Sequence, residues 1–332
     1  MQYKSLKGYS GPAQLGMLLV FLVVGFILAA AAQLFIGMQM IPEGTPMTKM
    51  GDAMMKAMLD PANITLARTA QVLGTFLLLF VPAVLYCLVV HGKDFFWLGF
   101  NAHFTAKQIL VGFFLILVAN LLASPLADLS KSVVANYPAL DAYAKRLEEA
   151  YNEQVLALSN LKSWGEFILA VFIMAFFPAL FEEVFFRGAL QNILEKWWRN
   201  PIVAILITSI IFSLIHFSIY LFISRAILGF VLGYMYYKTR NIWVNIVAHF
   251  LNNAIAVMQL FYLSTRKEKL NLDEIEPDLP WWVGIVAIIA LYFLFIFLQK
   301  ISVTYKEKIE AKEQALLATR DPFYSVTTND RL

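Results

Sequence analysis

The chain has 332 residues, of which 60% are hydrophobic and 15% charged, against about 25% charged in ordinary soluble domains. That balance excludes a soluble globule and puts the chain among membrane proteins. A net charge of +3 with no basic, aromatic-rich patch gives no support for a nucleic-acid partner, and one cysteine, Cys87, excludes an internal disulfide or a cysteine-based zinc site.

A bilayer crossing needs about 20 mostly apolar residues. The hydropathy pattern predicts an all-α, polytopic bundle of about eight crossings. They run near Leu15 to Gly37, Ala67 to Val90, Gln108 to Ala127, Phe167 to Leu190, Pro201 to Ile223, Ala226 to Tyr237, Ile242 to Leu263 and Trp281 to Val303. The first continues past its alanines through Leu34-Phe35-Ile36, so it reads as an uncleaved anchor rather than a signal peptide. Lys4, Lys7, Lys93, Lys107, Arg187, Lys196, Arg199, Lys238, Arg240 and the basic residues from Lys300 onward fall on one side, which predicts cytoplasmic N- and C-termini.

Between the third and fourth crossings, Tyr143, Leu147 and Tyr151 recur at helical spacing and predict an interfacial amphipathic helix. Residues 305–332 read as a partly helical cytoplasmic tail. His91 and His103 fall in a short polar loop and are expected to be solvated or interfacial. Three regions follow: 1–163 with the first three crossings and a long loop, 164–263 with crossings four to seven, and 264–332 with the last crossing and the tail.

Several polar residues stand inside apolar runs. The fourth crossing reads Phe181-Glu182-Glu183-Val184-Phe185-Phe186-Arg187. An ionised group at mid-bilayer costs about 2.5–3.5 kcal/mol on the insertion scale, so these groups should face the bundle interior. Glu183 and Arg187 are four apart and can pair. Glu182 is turned about 100° away. The fifth crossing holds His216 on a stripe with Ser209, Ser213 and Tyr220, and the seventh holds His249 and Asn253 on a face with Asn245. Each stripe alone could be hydrogen-bonding glue between helices. Depth argues for more. Glu182 and His216 are equally far in sequence from the turn at Arg199, so an antiparallel hairpin sets them at one height. Gly229 and Gly233 form a G-x-x-x-G pair for close helix approach. Arg225, at the outer end of its helix, reads as interfacial.

A desolvated carboxylate beside an imidazole can activate water, and a second His with an Asn can donate to a developing oxyanion. That set suits amide hydrolysis. Two His and one Glu are also a known zinc set. Without an H-E-x-x-H signature, the preferred reading requires no cofactor, and zinc held by Glu182, His216 and His249 is the alternative.

The set E-E-x-x-x-R (Glu182, Glu183, Arg187), F-x-x-x-H (Phe212, His216) and H-x-x-x-N (His249, Asn253) resembles the CAAX-processing and bacteriocin-processing (CPBP, or Abi) intramembrane protease family over residues 164–263. The resemblance implies cleavage of CAAX-like or leader-peptide substrates held at the bilayer, at a site opening toward the cytoplasm. It implies Glu182 as the base, His216 as its water-positioning partner, and His249 with Asn253 as the oxyanion hole. Glu183, Arg187 and Phe212 would be supporting, with Arg187 near a substrate carboxylate. Two other readings remain: a non-catalytic peptide-binding or bacteriocin-immunity protein, and a proton-coupled transporter using the Glu/His cluster as a relay.

Overall fold

Apolar runs set the helices, and their polar ends stop them. The computed structural model describes residues 3–158, 161, 163–265 and 279–318. Ten helices carry that part of the chain: α1 Gly11–Met38, α2 Met50–Leu59, α3 Pro61–Val90, α4 Ala106–Val134, α5 Pro138–Leu158, α6 Trp164–Trp198, α7 Pro201–Leu214, α8 Phe222–Thr239, α9 Ile242–Ser264 and α10 Trp281–Ala318. Among the described residues, α1, α3, α4, α6, α9 and α10 are long and apolar enough to cross a membrane. The chain is an integral, multi-pass, all-α bundle, and eight was an approximate count of its crossings.

The turns are written in recognisable chemistry. Arg199 and Arg240 both take left-handed backbone, at φ 54° and 53°. Each is followed by an asparagine whose side chain accepts a backbone N–H of the next helix, Val203 for Asn200 and Trp243 for Asn241. The α4 start is a capping box, in which Thr105 accepts from the Gln108 N–H while Gln108 accepts from the Thr105 N–H.

The fifth predicted crossing is corrected. It ends as a helix at Leu214, after 14 residues or about 21 Å of rise. Phe217 then turns with φ 50°. The freed backbone groups find new partners: Ser213 Oγ donates to the Phe222 carbonyl, the Leu221 N–H donates to Ser218 Oγ, and Arg225 Nη1 donates to the His216 carbonyl. Tyr220 therefore leaves the helical stripe and donates to Asp141 Oδ1 on α5.

Two stretches of wider, π-type winding precede prolines. Phe76–Phe80 comes just before Pro82, and Val171–Phe176 just before Pro178. The wider turn moves the carbonyl four residues back away from the pyrrolidine ring. A third, Val184–Gln191, begins directly after Glu183 and contains no proline.

The amphipathic helix expected in the long loop is α5. The tail forms more than was expected. Helix α10 runs unbroken for 38 residues, about 57 Å, and its final turns dock on the bundle. Ile309 is buried, Glu313 pairs with Lys196, and the Lys312 ammonium lies 4.6 Å over the Phe96 ring. The rest of the predicted tail, 319–332, lies outside the described residues. His91 is also corrected: it is buried and stacks on Trp97 with ring centroids 4.4 Å apart. Burial, and after it the charges of Lys196 and Lys7, push its pKa down to about 3.

Candidate active site

The acids of α6 face different surroundings because adjacent residues point to different sides of a helix. Glu183 and Arg187 are fully buried. Glu183 Oε1 accepts from Arg187 Nη1 at 2.7 Å and lies 2.9 Å from His249 Nδ1. Its other oxygen accepts from Asn245 Nδ2 at 3.1 Å. Arg187 Nη2 donates to the Gly229 carbonyl at 2.9 Å, and the guanidinium carbon sits 5.0 Å over the Phe212 ring. One turn on, Gln191 Nε2 donates to the Gly233 carbonyl at 2.9 Å. The G-x-x-x-G pair thus does two things. It lets α8 approach, and it bares two carbonyls to α6. A Cβ on Gly233 would stand 2.9 Å from Gln191 Oε1 and from Ile205.

A buried ion network of this kind is held by geometry, because each charge needs its partners in place. Arg187 is sealed behind Glu183 and does not line the cavity. The implied approach of a substrate carboxylate to Arg187 therefore has no route in this structure.

Glu182, by contrast, lines a cavity of about 570 Å³ together with Phe212, His216, His249, Asn252 and Asn253. One carboxylate, two imidazoles and two carboxamides from α6, α9 and the turn after α7 thus meet at one space. Glu182 Oε2 is 3.9 Å from His249 Nε2, beyond direct hydrogen-bond reach. His216 Nδ1 is 2.7 Å from the Phe212 carbonyl, which can only accept. Its Nδ1 therefore carries the proton, and in the neutral ring Nε2 is a lone-pair acceptor. His249 follows the same logic, with Nδ1 donating to Glu183 and Nε2 turned toward Glu182.

Lone pairs on two imidazoles and a carboxylate have the chemistry of a metal shell. They lack its spacing: among the described residues, no three His, Cys, Asp or Glu side chains gather closely enough to hold a metal ion.

The rest of the cavity wall was not read from sequence. Arg225 lines it, half-buried, with its guanidinium carbon 5.1 Å over the Tyr151 ring of α5. Asn252 and, behind it, Asn120 of α4 were not singled out. Glu148 and Tyr151 bring α5 into the wall. The N-terminal segment packs at the opposite end of the bundle, where Lys7 Nζ donates to the Leu88 carbonyl. A larger apolar groove, about 740 Å³, runs behind the 213–218 segment and contains none of these acids or imidazoles.

These features define a multi-pass membrane protein with a polar, ion-paired site inside its helix bundle. Residues 164–255 match the family described as Rce1-like, type II CAAX prenyl endopeptidase Rce1-like. Over this stretch the chain is similar to the CAAX- and bacteriocin-processing intramembrane proteases, as its motifs predict. A Bacillus subtilis (strain 168) protein described as "Uncharacterized protein YpbD" is 34% identical over 95 residues, 27% of this chain and 46% of that protein. A second from the same organism, described as "Putative membrane peptidase YdiL", is 32% identical over 94 residues, 28% of this chain and 38% of that protein. The chain therefore spans less than half the length of these relatives. No solved structure matches it. The family match and the second relative support an intramembrane protease.

Proposed function

We propose that this chain is an intramembrane endopeptidase acting on membrane-associated peptides, CAAX-like tails or leader peptides among them. The observation that carries the reading is the meeting of Glu182, His216, His249 and Asn253 at one cavity inside the bundle.

In this reading a water bridges Glu182 and His216. One of its hydrogens is held by His216 Nε2 and the other passes to the Glu182 carboxylate, while its oxygen attacks the scissile carbonyl. Asn253 Nδ2 donates to the oxyanion. In enzyme that enters the cycle with a proton on His249 Nε2, that N–H donates as well, with Glu183 behind the ring as its counter-charge. Protonated Glu182 then gives its proton to the leaving nitrogen. No step needs a metal. Zinc remains an outcome of the test: activity lost to a chelator and restored by zinc, with stoichiometric metal in the purified protein, would replace this water-activation scheme.

The decisive experiment compares membranes carrying wild type and Glu182→Gln. The variant keeps size and hydrogen-bonding shape but takes no proton. Peptides that accumulate only with Glu182→Gln are the expected result. Identical peptide populations would favour a binding or immunity protein.

Cytoplasmic termini, proposed from the Lys/Arg bias, would set α5 on the outer side of the membrane. A cytoplasmic approach to Glu182 would then have to pass between helices rather than past α5.

A further inference from the structure

Helix α4 lies outside the stretch that matches the protease family, yet it touches the site through one polar contact. Asn120 Nδ2 donates to Asn252 Oδ1 at 2.5 Å. Asn252 Nδ2 in turn lies 3.5 Å from Asn253 Oδ1, a long contact in the donating direction. Asn252 and Asn253 both line the cavity, and Asn120 does not. Three carboxamides therefore stand in a row, the first giving an N–H to the oxygen of the second and the second turning its NH₂ toward the oxygen of the third.

A carboxamide has an accepting end and a donating end. If Asn253 spends its oxygen on Asn252, its NH₂ end is left for the cavity. That is the end an oxyanion requires. A reversed row would present Asn253 Oδ1 to the cavity instead and would repel the developing charge.

We infer that Asn120 is a positioning residue, which sets the direction of the Asn252–Asn253 pair so that Asn253 offers a donor to the reacting carbonyl. The inference rests on the hydrolase reading above. It adds that the oxyanion donor is aimed from α4, two contacts back from Asn253.

Aspartate at position 120, assayed at alkaline pH where it is ionised, reverses the row, because a carboxylate only accepts. Asn252 must then turn its NH₂ end toward α4, and Asn253 follows. The probe is a quenched fluorogenic peptide with an apolar C-terminal anchor, assayed in detergent micelles with the full-length protein. Asn120→Asp is expected to lower kcat by about 100-fold, the scale for loss of one oxyanion donor, and to leave KM within about threefold. Asn120→Ala removes the direction without reversing it and is expected to cost about tenfold, a tenth of the oxyanion-donor effect. Asn252→Ala breaks the row, so Asn120→Asp added to Asn252→Ala should change kcat no further. A role in helix packing alone would not produce that non-additivity.

Wild-type kcat in Asn120→Asp, or effects that multiply in the double variant, would overturn the inference while Glu182→Gln remains inactive. Should Asn120→Asp fail to fold, Asn120→Ala with and without Asn252→Ala decides by the same non-additivity. A wild type that does not cleave, or an active Glu182→Gln, would bring down the hydrolase reading itself.

Discussion

Arg187 and His249 share one oxygen atom: Glu183 Oε1 lies 2.7 Å from the Arg187 guanidinium and 2.9 Å from the His249 ring. The helix that carries the acids therefore sets the orientation of an imidazole on another helix. Carboxylates behind histidines serve this purpose widely, fixing tautomer and ring plane.

Removing that carboxylate should cost stability before it costs chemistry. Glu183→Gln leaves Arg187 buried without a counter-charge, a loss of roughly 3–5 kcal/mol. Unfolding in detergent should show it as a large fall in midpoint. Replacing both residues by apolar ones of similar volume should recover much of the loss. A Glu183→Gln protein as stable as wild type would show that Arg187 has other support.

Glu182 should behave in the opposite way. It accepts no direct hydrogen bond from His249 at 3.9 Å, so Glu182→Gln should leave the unfolding midpoint nearly unchanged. Its kcat should fall by at least about 100-fold, as should that of His216→Ala. Asn253→Ala should lose about 100- to 1000-fold. Any of these variants with full turnover loses the role assigned to that residue.

The packing of α8 against α6 and α7 predicts a graded glycine series. Gly233→Ala sets a Cβ 2.9 Å from Gln191 Oε1 and Ile205, and Gly229→Ala sets one 3.2 Å from the Ser209 backbone. Each should destabilise by about 1–3 kcal/mol, the usual cost of overpacking. Gly16→Ala is the matched control. Nothing lies within 4 Å of its Cβ, and alanine there should be neutral or stabilising by up to about 1 kcal/mol. A Gly233→Ala midpoint equal to that of Gly16→Ala would contradict the close approach.

Sidedness is testable with single cysteines, because Cys87 is buried and can be replaced. Tyr143→Cys on α5 and Glu307→Cys on α10 both sit at exposed positions. They should be modified by impermeant thiol reagents from opposite faces of the membrane, Glu307→Cys from the cytoplasmic face. Labelling of both from one face would contradict the bundle topology. Opposite faces with Glu307→Cys outside would reverse the proposed orientation.

The charges inside α6 and the imidazoles of the next helices could be read in the sequence because burial makes such groups conspicuous. The break after Leu214 could not. Ile215, Phe217, Ile219 and Leu221 keep the stretch apolar, so hydropathy runs straight through it. Its signals, Ser213, Ser218 and Arg225 re-partnering the backbone, mean something only once the turn exists. Asn120 was hidden for the same kind of reason, since a lone asparagine in an apolar run has many bland explanations and its partner lies on α9. The docking of α10 was masked by charge. Lys306, Glu310 and Glu313 made its end look solvated, while Ile309, Leu316 and Leu317 were the residues that face the bundle.

Glu183 and Arg187 belong to the same helix, four residues apart, and this bears on how the chain is made. When α6 emerges from the ribosome, neither α8 nor α9 has yet reached the membrane. A lone acid at that depth would have to enter lipid neutralised by a proton or bear the cost of an unpaired ion. Here Glu183 arrives with its own counter-ion on the same helix, so that pair can insert without net charge and wait for Gly229, Asn245 and His249 to arrive in the order of translation.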